Sequence, residues 1–137
     1  MKYSKTIAGI MIEICEKAIG EDLVLTLSGG EKPHIGCVVQ AVPRPSLSGN
    51  GTISVTSSVI NLTGHKDEFL CRRLAENRCR ETGKVVVCTG GSQILLRLHT
   101  GRETGKVVVC TGGVHMDHIT GEQIEELLKN IDRMMTE

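Results

Sequence analysis

The chain has 137 residues, and its 16 Lys and Arg balance 16 Asp and Glu, so the formal net charge is zero. That balance, with one Tyr, one Phe and no Trp, argues against a nucleic-acid surface and against a base-stacking platform. At 39% hydrophobic residues the chain can build a core for one compact domain, 1–137, and no apolar run is long enough to span a bilayer.

The first fourteen residues mix Lys2, Lys5 and Glu13 with apolar residues and show no secretory signal pattern. A cytoplasmic protein is expected, in which the sequons at Asn50 and Asn61 carry no meaning. Ile10, Ile12 and Ile14 alternate with Met11, Glu13 and Cys15, the pattern of a half-buried strand. A turn at 19–22 leads to a second strand, where Leu23, Leu25 and Leu27 alternate with Val24, Thr26 and Ser28. A third runs over about 35–42, a loop marked by Pro43 and Pro45 follows, and Thr52 to Asn61 is a fourth.

The period then changes. From Lys66 to about Arg80 the residues Leu70, Cys71, Leu74 and Ala75 fall on one stripe, predicting a helix. Asp67 and Glu68 stand in its first turn, and Arg78 and Arg80 in its last, as the helix dipole favours. A Val-rich strand comes next. Thr120 to about Met135 is the closing helix, with capping-box spacing at Thr120 and Gln123 and an apolar stripe of Ile124, Leu127, Leu128, Ile131 and Met135. Strands followed by helices predict an α+β fold, an antiparallel sheet with two helices packed on it.

The Val-rich strand occurs twice. Arg80 to Gly91 is repeated without change as Arg102 to Gly113, a tandem duplication of 22 residues that reads as an insertion. Only one copy can take the native place in the sheet. The second, Lys106 to Cys110, is expected there, because His115 and the last helix follow it directly. The six cysteines form no C-x-x-C pair and mostly sit inside apolar patterns, so small buried hydrophobes are expected.

Three histidines share a setting beside glycines: His34 after Gly29 and Gly30, His65 after Gly64, and His115 after Gly112 and Gly113. If the strands alternate in direction and the helix from Lys66 returns the chain to the opposite edge before the Val-rich strand, all three fall in loops at one end of the sheet, together with Lys66, Asp117 and both helix starts. Unpaired backbone N–H groups at helix starts and glycine turns suit a phosphate or another anion. His34, His65, His115 and Asp117 are alternatively a donor set for a divalent metal, although Lys66 favours an anionic ligand. No G-x-S-x-G elbow or H-E-x-x-H helix occurs, and a thiol nucleophile at Cys88 or Cys110 has nothing to activate it. A binding or accessory protein is expected rather than a free-standing enzyme.

Gly29-Gly30-Glu31-Lys32-Pro33-His34-Ile35-Gly36, then His65-Lys66-Asp67, then Gly113-Val114-His115-Met116-Asp117 resemble the pattern of the LpdD-like family. These are small D subunits associated with gallate-type hydroxyarylic acid decarboxylases, described as prenylated-flavin chaperones. The resemblance implies a fold similar to proteasome-assembly chaperones, often dimeric. It also implies that the chain binds prenylated FMN, protecting it or delivering it to a UbiD-type decarboxylase partner. The cofactor would meet Gly29, Gly30, His34, His65, Lys66, Gly113 and His115. Two other readings stand beside it: a protein-assembly chaperone without a small ligand, and a small metal-dependent enzyme.

Overall fold

Five strands precede the first helix. The computed structural model describes residues 1–7, 9–30, 33–62, 68–93, 109–111 and 120–134. In chain order the elements are β1 (Lys2–Ile7), β2 (Ile10–Ile19), β3 (Asp22–Gly30), β4 (Cys37–Pro45), β5 (Ile53–Asn61), α1 (Glu68–Thr82), β6 (Val86–Gln93) and α2 (Gly121–Met134). They form one six-stranded sheet in the order β1-β2-β3-β6-β4-β5. The α+β class stands, but the sheet is mixed. β6 runs parallel to β3 and antiparallel to β4. The parallel pair follows from α1, which at about 1.5 Å per residue carries the chain back along the sheet before β6 begins.

Sequence periodicity does not reveal β1. Its six residues are all exposed, so there is no buried face to produce a signal. It is held instead by pairing along β2, from Lys2 opposite Cys15 to Ile7 opposite Ile10. Strand β2 then turns tightly into β3 at Gly20, whose φ of 57° suits a residue without a Cβ.

Correction is also needed for the duplicated strand. The first copy, Val86–Gln93, sits in the centre of the sheet, between β3 and β4. Val109 to Thr111, from the second copy, belong to no strand, and Cys110 is exposed. Proximity decides this: Thr82 is followed by only a short link at 83–85 before β6, so the first copy reaches the vacant slot at the lowest loop-closure cost.

Helix α1 packs on β4, β6 and β5, and the core beneath it extends to the inner face of β3. Leu23, Leu25 and Leu27 pack with Cys37, Val39 and Ala41, with Val86 and Cys88, and with Cys71, Ala75 and Cys79 of the helix. Four cysteines thus serve as small buried hydrophobes, as expected, and burial pushes the Cys79 thiol above its usual range. Leu70, assigned to the apolar stripe, is exposed, and Cys79 takes its place in the buried row. In α2 the capping box forms: the Thr120 N–H donates to Gln123 Oε1 (2.9 Å) and the Gln123 N–H to Thr120 Oγ1 (3.3 Å). Among the described side chains of α2, Ile124 and Leu128 are exposed, and the helix whose packing on the sheet is described is α1. Periodicity tells that a helix has an apolar face; it does not tell what covers that face.

A charged tie joins β2 to α1. The Arg78 guanidinium donates to both Glu16 oxygens, at 2.6 and 2.8 Å, and the Glu16 side chain is only 8% exposed. Arg78 therefore holds the Glu16 carboxyl below the ordinary carboxylate range, against the opposing effect of burial. A carboxyl depressed on folding adds stability that is present above its unfolded value, about 4.3, and lost as pH falls through the folded value. Arg78→Ala should cost about 1.5–3 kcal/mol at neutral pH. The gap between variant and native chain, measured by urea unfolding, should narrow as pH drops below the unfolded value. A gap that stays constant through pH 3 would show that the pair does not contribute this way.

Candidate functional site at one end of the sheet

Strand directions fix which loops share an end. β3, β5 and β6 all finish at the same edge, because β5 and β6 are each antiparallel to β4 and β6 is parallel to β3. This edge gathers Gly29 and Gly30, the approach to β4 at Pro33 to Gly36, the end of β5 at Asn61, the start of α1 at Glu68, and Gly90 with Gly91. Direction alternates from β1 through β5, and α1 then returns the chain so that β6 runs the same way as β5.

Backbone bonds tie the pieces together. The Gly36 N–H donates to the Gly90 carbonyl (3.1 Å), and the Leu62 N–H donates to the Gly36 carbonyl (2.9 Å). Two buried thiols, of Cys37 and Cys71, also point at the Gly90 carbonyl oxygen, at 3.8 and 3.9 Å. Thr89 Oγ1 donates to the Cys37 carbonyl (3.0 Å). The segment that carries His34 is thereby anchored at Gly36 and Cys37, just after the histidine, and His34 itself is half-buried.

The glycines here have packing reasons. A Cβ on Gly29 would stand 2.7 Å from the Met11 carbonyl oxygen and 2.6 Å from Ile12 Cδ1. One on Gly90 would meet the Leu27 carbonyl oxygen at 1.8 Å. Gly30, with φ 74°, turns the chain out of β3 just before 31–34. Of the seven residues expected to meet a cofactor, Gly29, Gly30 and His34 lie together at this edge. His65, Lys66, Gly113 and His115 lie outside the described residues, as does Asp117 of the expected metal set. Among the described residues no group of three His, Cys, Asp or Glu could hold a metal ion.

The start of α1 carries the acidic residue expected in its first turn. Glu68 opens the helix, and its carboxylate accepts from Arg72 Nε (3.1 Å) and Asn61 Nδ2 (2.6 Å). Both bonds, Arg72 first, hold that carboxyl below its usual range. Arg72 also donates to Ser57 Oγ (2.7 Å), which donates in turn to Glu76 Oε1 (2.7 Å). The four-residue spacing of Glu68, Arg72, Glu76 and Arg80 is visible in the sequence and is the signal that would have found the ion pairs along the helix, Glu68 with Arg72 and Glu76 with Arg80. One surface hollow lies at the β4–β5 hairpin, beside Arg44 and Ser46, away from the edge, and another runs along α1 from Phe69 to Arg80.

Compared with known proteins, the chain matches the family model of the prenylated flavin chaperone LpdD-like domain over residues 6–94 and 96–137. No curated protein matches it.

Proposed function

The chain belongs to the LpdD-like prenylated flavin chaperone family, and we propose that it binds prenylated FMN at the glycine-rich sheet edge bearing His34. In this reading it protects the cofactor or delivers it to a UbiD-type decarboxylase. One observation carries the reading: the ends of β3, β5 and β6, the His34 segment and the start of α1 converge on one edge in a member of this family. Backbone N–H groups of a helix start and of glycine turns recognise a phosphate without needing a catalytic group. Lys66 and His65, which immediately precede α1, and Gly113 and His115 would complete the contact. The Arg72 guanidinium offsets the Glu68 charge, which would otherwise repel a phosphate from the helix start. His34, His65, His115 and Asp117 holding a divalent metal beside the flavin is the variant of this reading that native mass spectra with added metals would test.

Charge-assisted contacts should carry much of the affinity. His34→Ala or Lys66→Ala is expected to weaken binding by about 1.5–3 kcal/mol and to leave folding intact. The measurement is a titration of the full chain with reduced prenylated FMN, with ordinary FMN as comparison. Folded protein that shows no saturable binding to either flavin would overturn the proposal and favour a protein-assembly role without a small ligand.

A further inference from the structure

Asn50 has no part in the flavin reading, yet its setting differs from that of every other asparagine. Four asparagines occur, at 50, 61, 77 and 130, and Asn50 is the one followed by glycine. It is also the one outside regular structure: Asn61 closes β5, while Asn77 and Asn130 lie inside α1 and α2. The backbone nitrogen after each of those three is engaged. The Leu62 N–H donates to the Gly36 carbonyl (2.9 Å), and the Arg78 and Ile131 amides belong to helical ladders.

Asn50 stands at the tip of the β4–β5 hairpin, in a loop closed by the Ser46 N–H donating to the Thr52 carbonyl (3.0 Å). Residues 47–53 are all exposed, so water reaches the loop throughout. The Asn50 side-chain oxygen accepts twice from Thr52, from its N–H (3.1 Å) and from its hydroxyl (2.6 Å). Two donors on one carbonyl oxygen make Cγ more electrophilic and stabilise negative charge on that oxygen, the logic of an oxyanion hole. Between the two residues, the Gly51 N–H donates to no group among the described residues. Nothing lies within 4 Å of where a Gly51 Cβ would stand, so the nitrogen is also unhindered.

We propose that Asn50 is a site of spontaneous deamidation, activated by Thr52. The Gly51 nitrogen, giving its proton to hydroxide, attacks Asn50 Cγ. The Cγ–Nδ2 bond then breaks, and the amide nitrogen leaves as ammonia with a proton from water, which restores the hydroxide. A five-membered succinimide remains, and water opens it. Addition at Cγ leaves aspartate in the normal chain; addition at the backbone carbonyl carbon leaves isoaspartate, with the chain running through Cγ. Either product carries one new carboxylate, so a chain of zero net charge becomes singly negative. Isoaspartate also adds one carbon to the hairpin backbone. The hairpin lies at the end of the sheet opposite His34, and the inference stands apart from the flavin reading.

The test holds the full chain at pH 8 and 37 °C for several weeks, followed by ion-exchange chromatography and peptide mapping. Acidic species should accumulate, with one mass unit gained in the peptide containing Asn50. Electron-transfer fragmentation should find both aspartate and isoaspartate there. Hydroxide dependence requires a much slower reaction at pH 6. Asn61, Asn77 and Asn130 should stay unchanged. Asn50→Gln should abolish the product, because the longer side chain would have to close a six-membered ring. Thr52→Val removes the hydroxyl donor and keeps the N–H; it should slow the reaction about two- to tenfold, the worth of one net hydrogen bond, with circular dichroism unchanged. An unmodified Asn50 at pH 8, deamidation led by another asparagine, or a Thr52→Val rate equal to the native one would overturn the proposal.

Discussion

Gly90→Ala is expected to remove most of the chain's stability. Gly90 has φ 144°, a backbone region that L side chains rarely adopt, and forcing a Cβ there costs about 1–3 kcal/mol. The added atom would also stand 1.8 Å from the Leu27 carbonyl oxygen, which belongs to the β3 backbone and cannot rotate away. Either β3 or β6 must shift. A shift would misdirect the Gly90 carbonyl, which accepts from the Gly36 N–H and from the Cys37 and Cys71 thiols. The combined loss should exceed about 4 kcal/mol, against a total of about 5–15 kcal/mol for a domain. The duplication supplies a control. Gly112 is the equivalent residue of the second copy, and Gly112→Ala should leave the unfolding midpoint nearly unchanged, because the first copy fills the sheet. If Gly112→Ala were the damaging change and Gly90→Ala the mild one, the assignment of the strand would reverse. Gly121→Ala, at an α2 position with open space and no unusual φ, should be neutral or slightly stabilising.

Leu25→Ala should cost about 2–5 kcal/mol through lost burial and the cavity left behind. Leu25 is 1% exposed, opposite Glu16 on β2 and Cys88 on β6, so it lies where three strands meet. Its neighbours across the helix interface are mostly Cys and Ala, side chains too short to swing into the space. Poor collapse places the expected loss in the upper half of the range. Thermal unfolding followed by circular dichroism would measure it. Leu70→Ala is the comparison on the same core-forming helix: Leu70 is 45% exposed and should lose little. Equal losses at both positions would mean that burial does not separate them.

Periodicity located β2, β3, β5 and both helices, because each has a face whose composition differs from its other face. It failed for β1, which has no buried face, and for Leu70, which shares the helical stripe but lies beyond the sheet contact. The candidate edge was legible in part. Alternating strand directions brought Gly29, Gly30 and His34 to the end of the sheet where β5 finishes and α1 begins, and this follows from chain connectivity alone. The Glu68–Arg72–Ser57–Glu76 network was not legible as a unit, since Ser57 joins it only across a strand-to-helix contact.

What the sequence determined by itself is local: where elements start and stop, which side of each is apolar, the neutral charge balance, and the motifs that resemble the LpdD-like family. Two identical copies of one strand have identical propensities, so no local rule could choose between them. The tertiary structure chose, by seating the nearer copy between β3 and β4 and leaving Cys110 exposed. It also decided that β3 and β6 lie side by side in parallel, and hence that Gly90 must pass against Leu27 without a Cβ. Such pairings join residues dozens of positions apart, and they are settled by the closure of the whole sheet rather than by the pattern of any one segment.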